Sequence, residues 1–234
     1  MKVLNSTFQQ KRIEEMKDKF EILERYPQHS IGWLELKLPE SATDRLHGYI
    51  ETAKKNPINV AFELAGNISN SIDLVDKDNW FFSRLVWPCI DQYTKSYPEY
   101  VKKYSILTNN LPWIMDKWWV NFQKQHEFNP RHDHGGVFSF VIWVKIPTDW
   151  REQHALPISA NSNTPKASDF EFQFTDILGT ITSNTYRLDK ESEGIMLFFP
   201  SQLQHQVYPF YNCDKERISI SGNIRFETKE TLNT

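Results

Sequence analysis

The chain has 234 residues, enough for one large domain or two small ones with a sizeable buried core. Aromatic residues make up 14%, which argues against a disordered chain, and a formal net charge of −3 argues against a nucleic-acid partner held by bulk charge. Two cysteines, Cys89 and Cys213, with no CxxC spacing, exclude a disulfide framework and fit a reducing compartment.

The N-terminal segment lacks the apolar run of a secretory signal. The longest apolar stretches, near Val137–Ile146 and Ile195–Pro200, are too short to span a bilayer. A soluble, cytoplasmic protein with no membrane partner is expected. Ile13, Met16, Phe20 and Leu23 fall at helical spacing, and Pro27 lies just beyond them. That helix packs on the core or serves a homo-oligomeric contact. Trp33–Leu38 reads as a short strand closed by Pro39. Ser41 or Thr43 is the expected cap of a second helix carrying Leu46, Tyr49, Ile50 and Ala53. A third helix is expected over about Asn79–Tyr93, kinked at Pro88.

From about Lys117 the pattern changes to strands: Lys117–Lys124, Val137–Ile146, Asp169–Phe174, Ile195–Phe199, Gln206–Phe210 and Arg217–Phe226. Helices followed by strands suggest a mainly β core dressed by N-terminal helices. The simplest division is a single domain over 1–234, helix-rich over 1–116, with the β core over 117–226. Between Pro147 and Ser168 the chain is polar and longer than an ordinary connection. It reads as a surface loop or as a lid over a site.

Of the seven histidines, His29, His47 and His154 stand in polar surroundings and read as surface residues. His132 and His134 are two apart, so on an extended chain both imidazoles project from one face, while Asp133 points away. Gly135 and Gly136 then let the backbone turn. His205 follows the apolar strand that ends in Phe199-Pro200, and Arg217 and Ser219 share a face of the last strand. Three neutral imidazoles suit Fe(II) and leave coordination positions open for a chelating cosubstrate and O2. The planar guanidinium of Arg217 suits a carboxylate, and the Ser219 hydroxyl adds a second hydrogen bond. Structural zinc usually takes four protein ligands, and only three are well placed here.

This order of motifs resembles the 2-oxoglutarate/Fe(II)-dependent oxygenases, and more narrowly their phage-type branch. The stretches that carry the resemblance include Trp119–Gln123, Glu127–Gly136, Gly194–Pro200, His205-x-Val207-x-Pro209 and Arg217–Ile224. The resemblance implies a double-stranded β-helix, or jelly-roll, core with helices outside it. It implies Fe(II) on His132, His134 and His205, and 2-oxoglutarate with its distal carboxylate on Arg217 and Ser219. Asn121 and Gln123 are candidates for one more polar contact to the cosubstrate. The implied reaction is oxidative decarboxylation to succinate and CO2, with hydroxylation of a small-molecule or peptidyl substrate.

One departure stands out. The common family pattern is His-x-Asp/Glu, and no histidine of this chain is followed at that spacing by a carboxylate. His134 takes the place. A site of three neutral ligands keeps the full metal charge, which favours Zn, Ni or Cu relative to a carboxylate site and tightens a dianionic cosubstrate. Two other readings follow: a catalytically silent jelly-roll binding or structural protein, and a three-His cupin-type dioxygenase that does not use 2-oxoglutarate. The second leaves Arg217 and Ser219 with no carboxylate to bind.

Overall fold

The computed structural model describes residues 31–104 and 111–227. The expected helix around Ile13–Leu23 lies outside them. Among the described residues, ten strands form two antiparallel sheets, the architecture expected of a jelly roll. The strands are β1 (Leu34–Lys37), β2 (Ser71–Asp73), β3 (Trp113–Gln123), β4 (Asn129–His132), β5 (Phe138–Lys145), β6 (Phe170–Thr175), β7 (Ile181–Tyr186), β8 (Ile195–Pro200), β9 (Gln204–Val207) and β10 (Arg217–Phe226). The larger sheet has the order β1-β8-β5-β10-β3-β2, and the smaller one β4-β9-β6-β7. The larger sheet reaches back across residue 117, because β1 and β2 supply its two edges.

The sequence places each strand by what its two faces touch. In β5, Phe138, Phe140, Ile142 and Val144 join the core under the helices, while Val141 and Trp143 join the core between the sheets. In β8, Met196 and Phe198 face the helices, and Leu197 and Phe199 face inward. Both faces are therefore buried, which explains the continuous apolar runs. At about 1.5–3 kcal/mol per fully buried large side chain, these strands dominate the stabilising side of the fold. Strand β10 is the exception. Ile220 and Ile224 face the helices, but Arg217, Ser219, Ser221 and Asn223 line a cavity between the sheets. On the face turned to the helices Gly222 permits close packing, since a Cβ would stand 2.7 Å from atoms of Phe140 and Trp118.

The helical layer comprises α1 (Glu40–Lys55), α2 (Trp87–Ser96) and α3 (Pro98–Lys102). Leu46 and Ile50 of α1 are buried against the sheet, and the Phe81 ring stacks on Trp118 at 4.3 Å. Neither Ser41 nor Thr43 caps α1. Its N-cap is Pro39 in an extended conformation, and Thr43 Oγ1 instead donates to the Glu40 carbonyl. The helix expected over Asn79–Tyr93 is two pieces. A π-helical segment, Phe82–Val86, precedes α2, with Pro88 in the first turn of α2. Proline has no N–H to give an α-helical partner, and a locally wider turn accommodates it. The segment read as a loop from Pro147 to Ser168 carries two short helices, α4 (Trp150–Ala155) and α5 (Pro157–Ala160). Among the described residues, no helix is long and apolar enough to cross a membrane.

Candidate metal centre

Strand pairing brings the three histidines together. In β4 and β9, His132 and His205 stand directly opposite each other. A register shift lies between Asn129 and His132, around Pro130. Proline is tolerated there because β4 is an edge strand of the smaller sheet. His134 follows just after β4, where its backbone N–H donates to the Ser201 carbonyl at 2.9 Å. Gly136 then turns the chain into β5 at φ +90, and a Cβ there would stand 2.8 Å from the Ile224 carbonyl oxygen. Of the two glycines read as turn residues, only Gly136 has a positive φ.

One nitrogen from each of His132, His134 and His205 lies within 4.8 Å of the others. Ring centroids are 4.3 to 5.0 Å apart. His132 Nδ1 is 2.7 Å from the Pro130 carbonyl oxygen, and His205 Nδ1 is 2.8 Å from that of Leu203. A carbonyl only accepts, so each Nδ1 carries the proton and each Nε2 presents a lone pair to the common centre. Such backbone anchoring is the usual outer support of a metal-ligating histidine. Burial lowers all three imidazole pKa values: His134 to about 4, with help from His132, and the more enclosed His205 well below its ordinary value. The cluster is therefore neutral at pH 7, the state a metal requires. Asp133 points out to the exposed rim, as its spacing predicts, and accepts from Gln204 Nε2. Among the described residues, no carboxylate joins the triad.

The histidines open onto a cavity of about 330 Å³. Trp143, Phe170 and Phe199 form an apolar wall. A polar stretch of the lining comes from β3 and β10, where Ser219 is paired with Asn121 and Arg217 with Gln123, and Ser219 stands beside Trp143 of β5. Arg217 is 2% exposed. Its Nη2 donates to the carbonyl and the hydroxyl of Ser168, while Nε and Nη1 have no partner. Burial lowers its pKa to about 10, which leaves it a cation at pH 7. Asn121 Oδ1 accepts from Ser71 Oγ at 2.8 Å, which turns Nδ2 toward Ser219 Oγ, 3.5 Å away. Gln123 lines the cavity as well, but its Nε2 is spent on the Glu127 carbonyl.

The structure thus brings His132, His134, His205, Arg217, Ser219 and Asn121 to one cavity. Trp118 packs in the core under the helices, while Trp119 and Trp143 line the cavity. His154 is a correction. It is not a surface residue: its side chain is 10% exposed and its Nε2 lies 3.0 Å from Asp169 Oδ1. The polar sequence around it hides a pairing made only by the fold. Sequence reasoning also missed Ser71, Ser168, Ser221 and Asn223. A signal existed for the last two, since β10 is polar at every second position from 217 to 223.

Residues 117–223 match a protein-family model described as "Putative 2OG-Fe(II) oxygenase". Among solved structures, the chain is similar to a Pseudomonas putida prolyl-4-hydroxylase at 12% identity and a TM-score of 0.50, covering 85% of this chain and 95% of that one. A prolyl hydroxylase from Trichoplax adhaerens, solved with a peptide fragment, aligns at 11% identity and a TM-score of 0.48, over 98% of both chains. At 12% identity the likeness to the first is one of fold. No curated protein matches.

Proposed function

We propose that this chain, whose residues 117–223 match the 2OG-Fe(II) oxygenase model, is a member of that family and a hydroxylase that holds Fe(II) on His132, His134 and His205. The family's cofactors are Fe(II), 2-oxoglutarate and O2. One observation carries the reading: a neutral three-imidazole cluster and a wholly buried cation with unpartnered N–H groups share one small cavity. A dianionic 2-oxoacid fits both ends of it.

When bound, Fe(II) with 2-oxoglutarate and O2 supplies oxidative decarboxylation to succinate and CO2, coupled to hydroxylation of a substrate C–H bond. The chain's own groups bind, orient and exclude water. His132 and His205 are held by their Nδ1–H donors, so their Nε2 lone pairs stay aimed at the centre. Arg217 receives the distal carboxylate through Nη1 and Nε, which need a partner because an unsatisfied buried donor is costly. Ser219 adds a hydroxyl, and Asn121 an amide whose orientation Ser71 fixes. Phe170 and Phe199 keep bulk water from the reacting end. The cavity volume suits 2-oxoglutarate together with one group of a small-molecule or peptidyl substrate.

Anaerobic titration of 2-oxoglutarate into Fe(II)-loaded protein tests the reading. Stoichiometric binding is expected, lost in both His205→Ala and Arg217→Ala. A wild-type protein that binds no 2-oxoglutarate and keeps zinc through chelation refutes it, and leaves a silent jelly-roll binding protein.

A further inference from the structure

The buried cation has an unusual support. Ser168 is 0% exposed, yet it does not line the cavity; it sits behind Arg217. Both of its oxygens clasp Nη2, the carbonyl at 2.9 Å and Oγ at 2.5 Å. To present both oxygens to one nitrogen, Ser168 takes φ +75, a region disfavoured for residues with a side chain. That conformation is held from two sides. The Ser168 N–H donates to the Pro209 carbonyl at 2.8 Å, and the Thr148 hydroxyl lies 3.0 Å from Ser168 Oγ. The Phe210 ring supports the guanidinium, with its centroid 5.0 Å from Cζ.

We infer that Ser168 is a positioning residue for Arg217: it clasps Nη2 from behind and so holds the guanidinium at the cavity it lines, with Nη1 and Nε left unpartnered for the distal carboxylate of a 2-oxodicarboxylate. This rests on the assignment of Arg217 proposed above. A guanidinium on a flexible side chain has several low-energy directions. Fixing one amino group removes that freedom before the ligand arrives, which is how preorganisation raises affinity. The segment Pro147–Ser168 acquires a role here too. It supplies both Thr148 and Ser168, so it supports the anchor from behind without covering the cavity.

The test compares wild type, Ser168→Gly, Thr148→Val and Arg217→Ala, each loaded with Fe(II) under anaerobic conditions. Two probes are titrated: 2-oxoglutarate, and 2-oxobutyrate, which has the same metal-chelating end but no distal carboxylate. Glycine accepts φ +75 and keeps the backbone carbonyl, so Ser168→Gly removes the hydroxyl without adding strain. Its affinity for 2-oxoglutarate is expected to fall about tenfold, with 2-oxobutyrate within twofold of wild type and the ligand-free melting temperature no lower. Thr148→Val is expected to shift 2-oxoglutarate the same way by a smaller factor. If Ser168→Gly binds 2-oxoglutarate within twofold of wild type while Arg217→Ala loses it, the positioning role is wrong and the anchor stands. Equal losses for both probes would mark general damage to the site and overturn the inference. If Arg217→Ala binds 2-oxoglutarate normally, the anchor itself is wrong and the inference falls with it.

Discussion

Replacing Arg217 by methionine removes a guanidinium that is wholly enclosed and only partly satisfied. Burial lowers its pKa from 12.5 to about 10. At about 1.4 kcal/mol per pH unit, holding that charge costs the ligand-free fold about 3 kcal/mol. Methionine has similar reach, no polar group and an adaptable shape. Against this gain stands the loss of the bonds to Ser168, whose buried carbonyl loses its donor, at about 1–2 kcal/mol. The balance is a ligand-free variant more stable than wild type by about 1–2 kcal/mol, or a melting temperature about 3–6 °C higher. With 2-oxoglutarate at a hundred times its Kd, wild type gains about 2.7 kcal/mol and the variant nothing, so the order reverses. Urea denaturation of the Fe(II)-loaded proteins, with and without 2-oxoglutarate, measures both arms. A variant that loses more than about 1 kcal/mol without ligand would show that Arg217 is kept for the fold.

Two further outcomes follow from the geometry. Gly136→Ala adds a Cβ 2.8 Å from the Ile224 carbonyl oxygen, which already accepts from Val137 N–H, at a φ of +90. Strain and a disturbed hydrogen bond together are expected to cost about 2–4 kcal/mol in urea denaturation; a loss below about 1 kcal/mol would mean that the turn relaxes freely. Burial raises the Asp169 carboxyl from 3.8 to about 7. A raised carboxyl favours folding in its protonated form, so its contribution is complete below about pH 4 and is lost as pH rises through 7. Asp169→Asn keeps an acceptor for His154 and removes that titration. Its stability is expected to fall less between pH 5 and 8 than that of wild type, by about 2–4 kcal/mol, and parallel curves would contradict the assignment.

The strands that pack on both faces were legible because their apolar runs are long and unbroken, as in β5 and β8. The histidines and Arg217-x-Ser219 were legible because side chains two apart on an extended chain share a face. Strand β4 was not. It is missing from the expected strands because Pro130 and its polar neighbours show no apolar alternation, and pairing with β9 orders the segment. Strand β7, Ile181–Tyr186, is polar and half exposed, and it is held by the register of β6. The support behind Arg217 was invisible for a different reason. Ser168 and Arg217 are 49 residues apart, and nothing local to a serine announces a positive φ.

Strand β10 inserts between β5 and β3, both of which precede it in the chain. The larger sheet therefore stays split down its middle until this strand has left the ribosome. Arg217 and Ser219 arrive with it, so His132 and His134 are made well before the anchor that would fix a 2-oxoacid beside them, while His205 precedes it closely. Pairings over such sequence distances form late and slowly. A nascent chain can thus present His132 and His134 to a passing ion while still lacking both the third imidazole and the buried cation. By this order of assembly, a reactive pocket is completed only when the sheet that shields it closes.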